Sequence, residues 1–252
     1  MRTVTKALAL LLLICVLASC NAAPADEPAA DGTGDVTDYV DPMMPEDGGI
    51  TVEGKSAGVV LDYFAEIAFG SEYGSAPEKL CRWENPVVYK VTGEPTDKDL
   101  ELIGTLCEKL NSIEGFPGIS EAGIFDKANF EIMFISRGEI VEQFSDATEA
   151  CVGMSEYRWL SDTCEIIRSR AAIDKAESEE RASTVCEEFL QALGLAKDSY
   201  SHADSVFYQG KCVYSRPSVL DWAMVELLYH PALRGGMSKY EAITAAAGIL
   251  SW

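Results

Sequence analysis

Apolar and polar residues follow two distinct periods along the chain after residue 50. Apolar residues recur at helical spacing over 59–69 and over 96–111, which predicts two amphipathic helices. A period of two, with a bias to β-branched and aromatic types, runs over 86–91 and over 129–135. This alternation predicts two strands, the first of which ends at Gly93.

The second half of the chain adds strand material and then becomes helical. The stretch 158–173 contains strand-forming residues, best over 164–167 and 171–173, and three predicted helices close the chain. Strands mixed with helices and then helices alone are typical of an α+β domain rather than a regular α/β repeat. We therefore expect a mixed β-sheet packed with helices over residues 51–252.

The first closing helix has a predicted start, a predicted end and a predicted buried face. Ser178 is its expected N-cap, and Gly194 suits a left-handed cap at its end. Val185, Phe189 and Leu193 share one face, which we expect to pack on the sheet. The polar residues then occupy a different face, which we expect to be partly open.

The N-terminus carries an export signal. A short basic start precedes an unbroken apolar run over 7–17, which is too short to cross a bilayer about 30 Å thick as a helix. The run leads to Leu-Ala-Ser-Cys, which resembles the lipobox of bacterial lipoproteins. The resemblance implies removal of 1–19, lipidation of Cys20 and a membrane anchor of several acyl chains. Asn21 then favours sorting to the outer membrane, facing the periplasm. The alternative is an ordinary secretory signal with a chance cysteine.

The composition of residues 20–50 predicts a tether between this anchor and the domain. The segment 21–50 holds eight acids and four prolines, with no Lys or Arg. Such a composition buries too little apolar area to offset its ordering entropy, so we expect a disordered segment. Three regions follow: the signal peptide 1–19, the lipidated tether 20–50 and one α+β domain over 51–252.

Net charge, the histidine count and the absence of glycine-rich motifs argue against several classes of function. The chain has 20 Lys and Arg against 41 Asp and Glu, a net charge of −21, which repels phosphate backbones. Nucleic acid is therefore not an expected partner. The only histidines are His202 and His230, so a three-histidine metal site is excluded by counting. Neither a phosphate-binding glycine loop nor a dinucleotide fingerprint is present, and no cofactor is expected.

Six cysteines remain after the signal peptide and the lipidation site. An even number in an exported domain predicts three disulfides, with fifteen possible pairings. Pairing sequence neighbours would give Cys81–Cys107, Cys151–Cys164 and Cys186–Cys212. We therefore expect a disulfide-stapled domain.

The sequence of the first closing helix resembles the zinc-binding helix of the metzincin peptidases, His-Glu-x-x-His-x-x-Gly-x-x-His. Glu187 and Gln191 stand at the first two histidine positions, and Lys197 stands at the third. Glu188 stands at the catalytic glutamate. The resemblance implies a metzincin-like layout with a degenerate cleft.

The second half of the domain contains the strings Glu-Glu-x-x-Gln-Ala-Leu-Gly-Leu, Asp-Ser, Ser-Val-Phe, Leu-Tyr-x-Pro-x-Leu and Gly-Met, at 187–195, 198–199, 205–207, 228–233 and 236–237. In these strings the chain more closely resembles a bacterial family of domains of unknown function, number 2927, over roughly 59–247. The sequence departs from the pattern at Lys197 and His230. This family implies no established reaction.

The residues at the metzincin positions do not form a zinc site. A carboxylate, an amide and an ammonium group replace the three imidazoles that hold the metal. Glu187, Glu188 and Asp198 offer oxygen ligands for a harder cation such as calcium or magnesium, or they are simply hydrated or hydrogen-bonded acids. We expect Glu187 and Gln191, four residues apart, on the partly open face.

The two histidines allow catalytic and structural interpretations. His202 is either a general base beside Asp198 or Asp204, or an exposed loop residue. His230 follows the predicted helix 220–229, where an imidazolium would complement the helix dipole.

These observations favour an envelope lipoprotein without catalytic activity. Its degenerate cleft, with Glu187, Glu188, Gln191, Asp198 and His202 as candidates, would serve binding or assembly with an envelope protein partner. The alternative is a peptidase-like hydrolase that uses carboxylates or a non-zinc metal in the same cleft.

Overall fold

A computed structural model describes residues 49–71, 78–210, 212 and 214–250. The predicted signal peptide, Cys20 and the acidic segment up to residue 48 lie outside these residues. Within the described part of the chain, no helix is both long and apolar enough to cross a bilayer.

A five-stranded mixed sheet forms the centre of the described chain. The strands are β1 (Val87–Gly93), β2 (Ile119–Glu121), β3 (Phe130–Ile135), β4 (Gly153–Trp159) and β5 (Ile166–Asp174). Their order is β2-β1-β3-β5-β4, and all neighbouring pairs are parallel except β4 with β5. β4 is therefore an antiparallel edge strand. The α+β class and the mixed sheet predicted from the sequence are confirmed.

Six described helices surround the sheet or follow it. They are α1 (Ala57–Ile67), α2 (Asp97–Ser112), α3 (Arg137–Gln143), α4 (Arg181–Gln191), α5 (Val219–Tyr229) and α6 (Lys239–Ala247). Five of them begin at a Ser or Thr whose side chain accepts a backbone N–H bond, which satisfies a donor that the helix itself cannot. α4 begins after Glu180 without a side-chain cap.

Alternation along the strands divides the apolar side chains between two cores. In β3, Ile132 and Phe134 belong to the larger core, which α2 and α4 cover. Met133 belongs to a smaller core with Ile140 and Phe144 around α3. Because successive side chains of a strand point to opposite faces, α2 and α4 cover one face of the sheet and α3 the other.

α4 packs on the sheet through the predicted face, although its N-terminal end differs from the prediction. Val185, Phe189 and Leu193 are at most 1% exposed, as expected. The N-cap is Glu180 rather than Ser178. The helix ends at Gln191, three residues before Gly194, where the backbone turns to a positive φ of 120°.

Two further features of the fold differ from the prediction, namely the start of β4 and the cysteines. β4 begins at Gly153, ahead of the predicted strand material, because an edge strand with one exposed side needs few apolar residues.

All six described cysteines are free thiols, so the three-disulfide framework is not present in this structure. They are Cys81, Cys107, Cys151, Cys164, Cys186 and Cys212.

Candidate functional site

A polar cavity of about 470 Å³ lies between α4 and the start of β4. Its lining comes from the loop before β4, from one face of α4 and from the chain after α4. Four carboxyl side chains contribute to this lining, namely those of Glu180, Glu187, Glu188 and Asp198. We call this the α4 cavity. Three of the five predicted cleft residues therefore lie around one space.

Gly153 allows β4 to approach α4 closely at the cavity. A β-carbon at this position would lie 2.4 Å from Oε1 of Glu188 and 2.5 Å from Cγ2 of Thr184. Such distances are far below van der Waals contact, so any larger residue would displace both side chains. Glu188 is buried at 6% exposure, while Glu187 is half-buried at the cavity wall.

Gln191 is buried, which corrects the expectation of an open position. Its side chain is 3% exposed, and its Nε2 donates to Oδ1 of Asp198 at 2.5 Å. Its Oε1 accepts a hydrogen bond from Oγ of Ser155 at 2.9 Å. Both ends of the amide are thus used inside the protein, and they hold the chain after α4 against β4.

Lys197 and His202 point away from the cavity, towards α1. The Nζ of Lys197 lies 3.3 Å from Oε1 of Glu66. The His202 ring meets the Tyr63 ring edge-on, with centroids 4.6 Å apart, and its Nδ1 lies 3.5 Å from Nζ of Lys55. Burial and the Lys55 charge lower the pKa of His202, so its imidazole is neutral at pH 7. The structure does not bring His202 together with the other cleft candidates.

The family-model comparison identifies the domain. A family model described as "Protein of unknown function (DUF2927)" matches residues 58–247. The chain belongs to this family. No curated protein matches the chain. All described residues that line the α4 cavity fall within the matched DUF2927 region.

A buried chain of hydrogen bonds fixes the turn of the DUF2927 domain that follows His202. The Tyr63 hydroxyl donates to Oγ of Ser205 at 2.7 Å, and Ser205 donates to Oδ1 of Asp221 at 2.5 Å. The other Asp221 oxygen accepts the backbone N–H groups of Val206 and Ser218. The sequence reasoning missed this network, although Ser218 and Asp221 have the spacing of a capping box.

Burial changes the ionisation of two groups in the DUF2927 domain. It raises the pKa of the Asp221 carboxyl to about 6, against the opposing effect of its hydrogen bonds. It lowers the pKa of His230, whose Nδ1 accepts the Ala232 N–H at 3.1 Å. The expected imidazolium at the end of α5 was therefore wrong, because a neutral ring is needed to accept this bond.

The acids of the α4 cavity do not form a ready metal site. Among the residues that the structure describes, no three His, Cys, Asp or Glu side chains come together to hold a metal ion. What the cavity offers chemically is a set of carboxylates next to hydroxyl and backbone groups.

Proposed function

We propose that this DUF2927 protein is a lipid-anchored binding module of the bacterial cell envelope, and that the α4 cavity is its binding site. The observation that carries this proposal is the contrast between Gln191, whose side chain is bound within the protein, and the two glutamates at the cavity. Its amide is engaged by Asp198 and Ser155, whereas Glu187 and Glu188 border an open space. A set of acids around a cavity suits the recognition of a partner better than the capture of zinc.

The chemistry of the cavity favours a positively charged partner. Four carboxyl groups line it, and none of its described lining residues is Lys, Arg or His. Lys211 lies outside the described residues. Like charges around a space attract a group of opposite charge, most simply a basic segment of an envelope protein.

The anchor rests on the lipobox that ends at Cys20. The 28 residues between Cys20 and the first described residue, Gly49, would span roughly 30 Å as a flexible chain. Their eight acids would keep the tether away from an anionic membrane surface. Cys20→Ala should abolish labelling with radioactive palmitate and release the protein from membranes. Unchanged membrane association of that variant would contradict the anchor.

The binding site is tested by photo-crosslinking in the envelope. A photoreactive residue replaces Gln209, which lines the cavity and is exposed, or Tyr240, which is 81% exposed and does not line it. We expect a discrete crosslinked product at Gln209 and none at Tyr240. Glu187→Lys should abolish that product, whereas the matched exposed variant Glu179→Lys should retain it. Equal loss with both variants would show that net charge, not the cavity, drives the contact.

Hydrolysis is the second candidate, because Glu188 occupies the position of the metzincin catalytic glutamate and lines the cavity. Purified protein with added Ca²⁺ or Mg²⁺ should leave a peptide library uncut. Cleavage that is lost in Glu188→Gln would establish the hydrolase and overturn the binding proposal.

A further inference from the structure

Cys81 and Cys164 lie on two chain segments that run side by side. The residues that follow them, Arg82 and Glu165, form a parallel β-bridge. The Arg82 N–H donates to the carbonyl oxygen of Cys164 at 3.4 Å, and the Ile166 N–H donates to the carbonyl oxygen of Arg82 at 2.8 Å. Cys81 and Cys164 are therefore neighbours across the bridge, and their two thiols are close enough to share a hydrogen bond.

Both cysteines are buried and close enough to influence each other. Cys81 is 0% exposed and Cys164 is 5% exposed. Burial, with the neighbouring Cys164 thiol, raises the pKa of Cys81 to about 12. A thiol of this kind is a poor nucleophile at pH 7, so the pair suits a structural bond better than a reactive centre.

The backbone of Cys164 is a second, independent indication. It has a φ of 56° and is the one non-glycine residue of the described chain in the left-handed region. Gly or Asn would suit this position better, because a β-carbon disfavours it. A cysteine in a turn that favours other residues indicates that the thiol itself is used.

The remaining cysteines have other neighbours. Cys107 contacts Tyr89, Cys151 accepts a hydrogen bond from the Thr148 N–H, and Cys186 lies near Cys212. The neighbour of Cys81 is Cys164, 83 positions later in the chain, rather than Cys107 as in the sequence-neighbour pairing.

We propose that Cys81 and Cys164 form a disulfide in the exported protein and staple the segment before β1 to the turn between β4 and β5. The two thiols lose two protons and two electrons as one S–S bond forms. An exported thiol–disulfide oxidoreductase in its disulfide form takes up both and becomes a dithiol. The proposal rests on the export that is part of the proposed function.

Peptide mapping of the full-length protein tests this pairing. Protein isolated from the envelope is alkylated without reductant, digested and analysed by mass spectrometry. We expect a linked peptide that contains Cys81 and Cys164, and alkylated Cys107. Reduction should lower Tm by about 5–10 °C in the wild type and in Cys107→Ala, and leave the Tm of Cys81→Ala unchanged.

A second arm separates this proposal from the proposed export. Full-length protein purified in reduced form is oxidised with glutathione disulfide in vitro, where export plays no part. The same linked peptide should appear. Alkylated Cys81 and Cys164 after this oxidation, or a Cys81–Cys107 peptide, would overturn the pairing whatever the location of the protein. The linked peptide in vitro, with free thiols in envelope protein, would overturn the disulfide in the exported protein.

Discussion

Two groups of charged residues lie along α4: an arginine paired with an acid at the start of the helix, and several acids around one cavity further along. At the start of the helix, Arg181 donates through Nε and Nη2 to the carboxylate of Asp99. Its Nη1 donates to the carbonyl oxygens of Asp174 and Ala176. Further along, Glu187 and Glu188 line an open cavity with other acids.

The difference separates a group that holds two helices together from the group that we propose for binding. The Arg181–Asp99 pair is complete within the protein, with both side chains about 5% exposed, and it ties α2 to α4. Around the α4 cavity, by contrast, four carboxyl groups share one open space. Acids gathered around a cavity are candidates for contact with a partner of opposite charge.

Removing the balanced pair should have the largest effect. Arg181→Ala leaves the buried Asp99 carboxylate without its counter-charge, so the free energy of unfolding should fall by about 3–5 kcal/mol. The matched control is Arg170→Ala, which breaks the more exposed pair with Glu156 and should cost about 1 kcal/mol or less. Urea denaturation measures both. Equal losses would remove the distinction between the two groups.

A buried acid without a basic partner should make stability depend on pH. The folded state raises the pKa of Asp221 from about 3.9 to about 6, so the folded protein holds this proton more tightly. The free energy of unfolding should therefore fall by about 2 kcal/mol as pH rises from 4 to 7. Urea titrations at several pH values measure this slope, and Asp221→Asn should flatten it. An unchanged slope in that variant would assign the pH dependence to other groups.

Adding a side chain at the close contact between β4 and α4 should lower stability by an intermediate amount. Gly153→Ala places a methyl group against Glu188 and Thr184, and we expect a loss of about 1–3 kcal/mol. Gly104→Ala in α2 meets nothing within 4 Å, so it should raise stability by about 0.5–1 kcal/mol. The opposite signs, read from thermal unfolding, distinguish a specific close contact from a general preference for alanine. If Gly153→Ala were more stable than the wild type, the side chains of Glu188 and Thr184 would have to move aside without loss of stability.

The smallest effect should be at the cavity wall itself. Glu187→Gln removes one of several like charges at a half-buried position, and stability should change by no more than about 0.5 kcal/mol. Gln191→Ala, one turn later, should cost about 1–3 kcal/mol because Asp198 and Ser155 lose their partner. If denaturation curves showed the same loss of stability in Glu187→Gln and in Gln191→Ala, the assignment of Glu187 to binding would be contradicted.

The sequence predicted the elements whose own periodicity is strong and missed those that depend on distant parts of the chain. α1, α2, β1 and β3 lie close to the predicted ranges, because each buries a regular apolar face. Three elements escaped prediction wholly or in large part: β2 has only three residues, α3 has a single buried residue, Ile140, and β4 overlaps the predicted strand material only at 158–159.

The candidate site shows the same division. The helix pattern correctly placed Glu187 apart from the buried apolar face. It assigned Gln191 to an open position because helical spacing does not show that Asp198 folds back over it. His202 likewise lies against Tyr63, 139 positions earlier, a contact that no local pattern encodes. Family membership identifies the domain without supplying its chemistry.

The uncapped start of α4 has a consequence for the order of events during folding. The other five described helices carry their start signal within the preceding residue, whereas α4 is fixed by Asp99, 82 positions earlier in the chain. Such a contact forms only after a long loop closes. Arg181→Ala should therefore raise the unfolding rate in stopped-flow experiments and leave the folding rate nearly unchanged. We expect the helix that carries the acidic cavity to be secured late in folding and released early in unfolding.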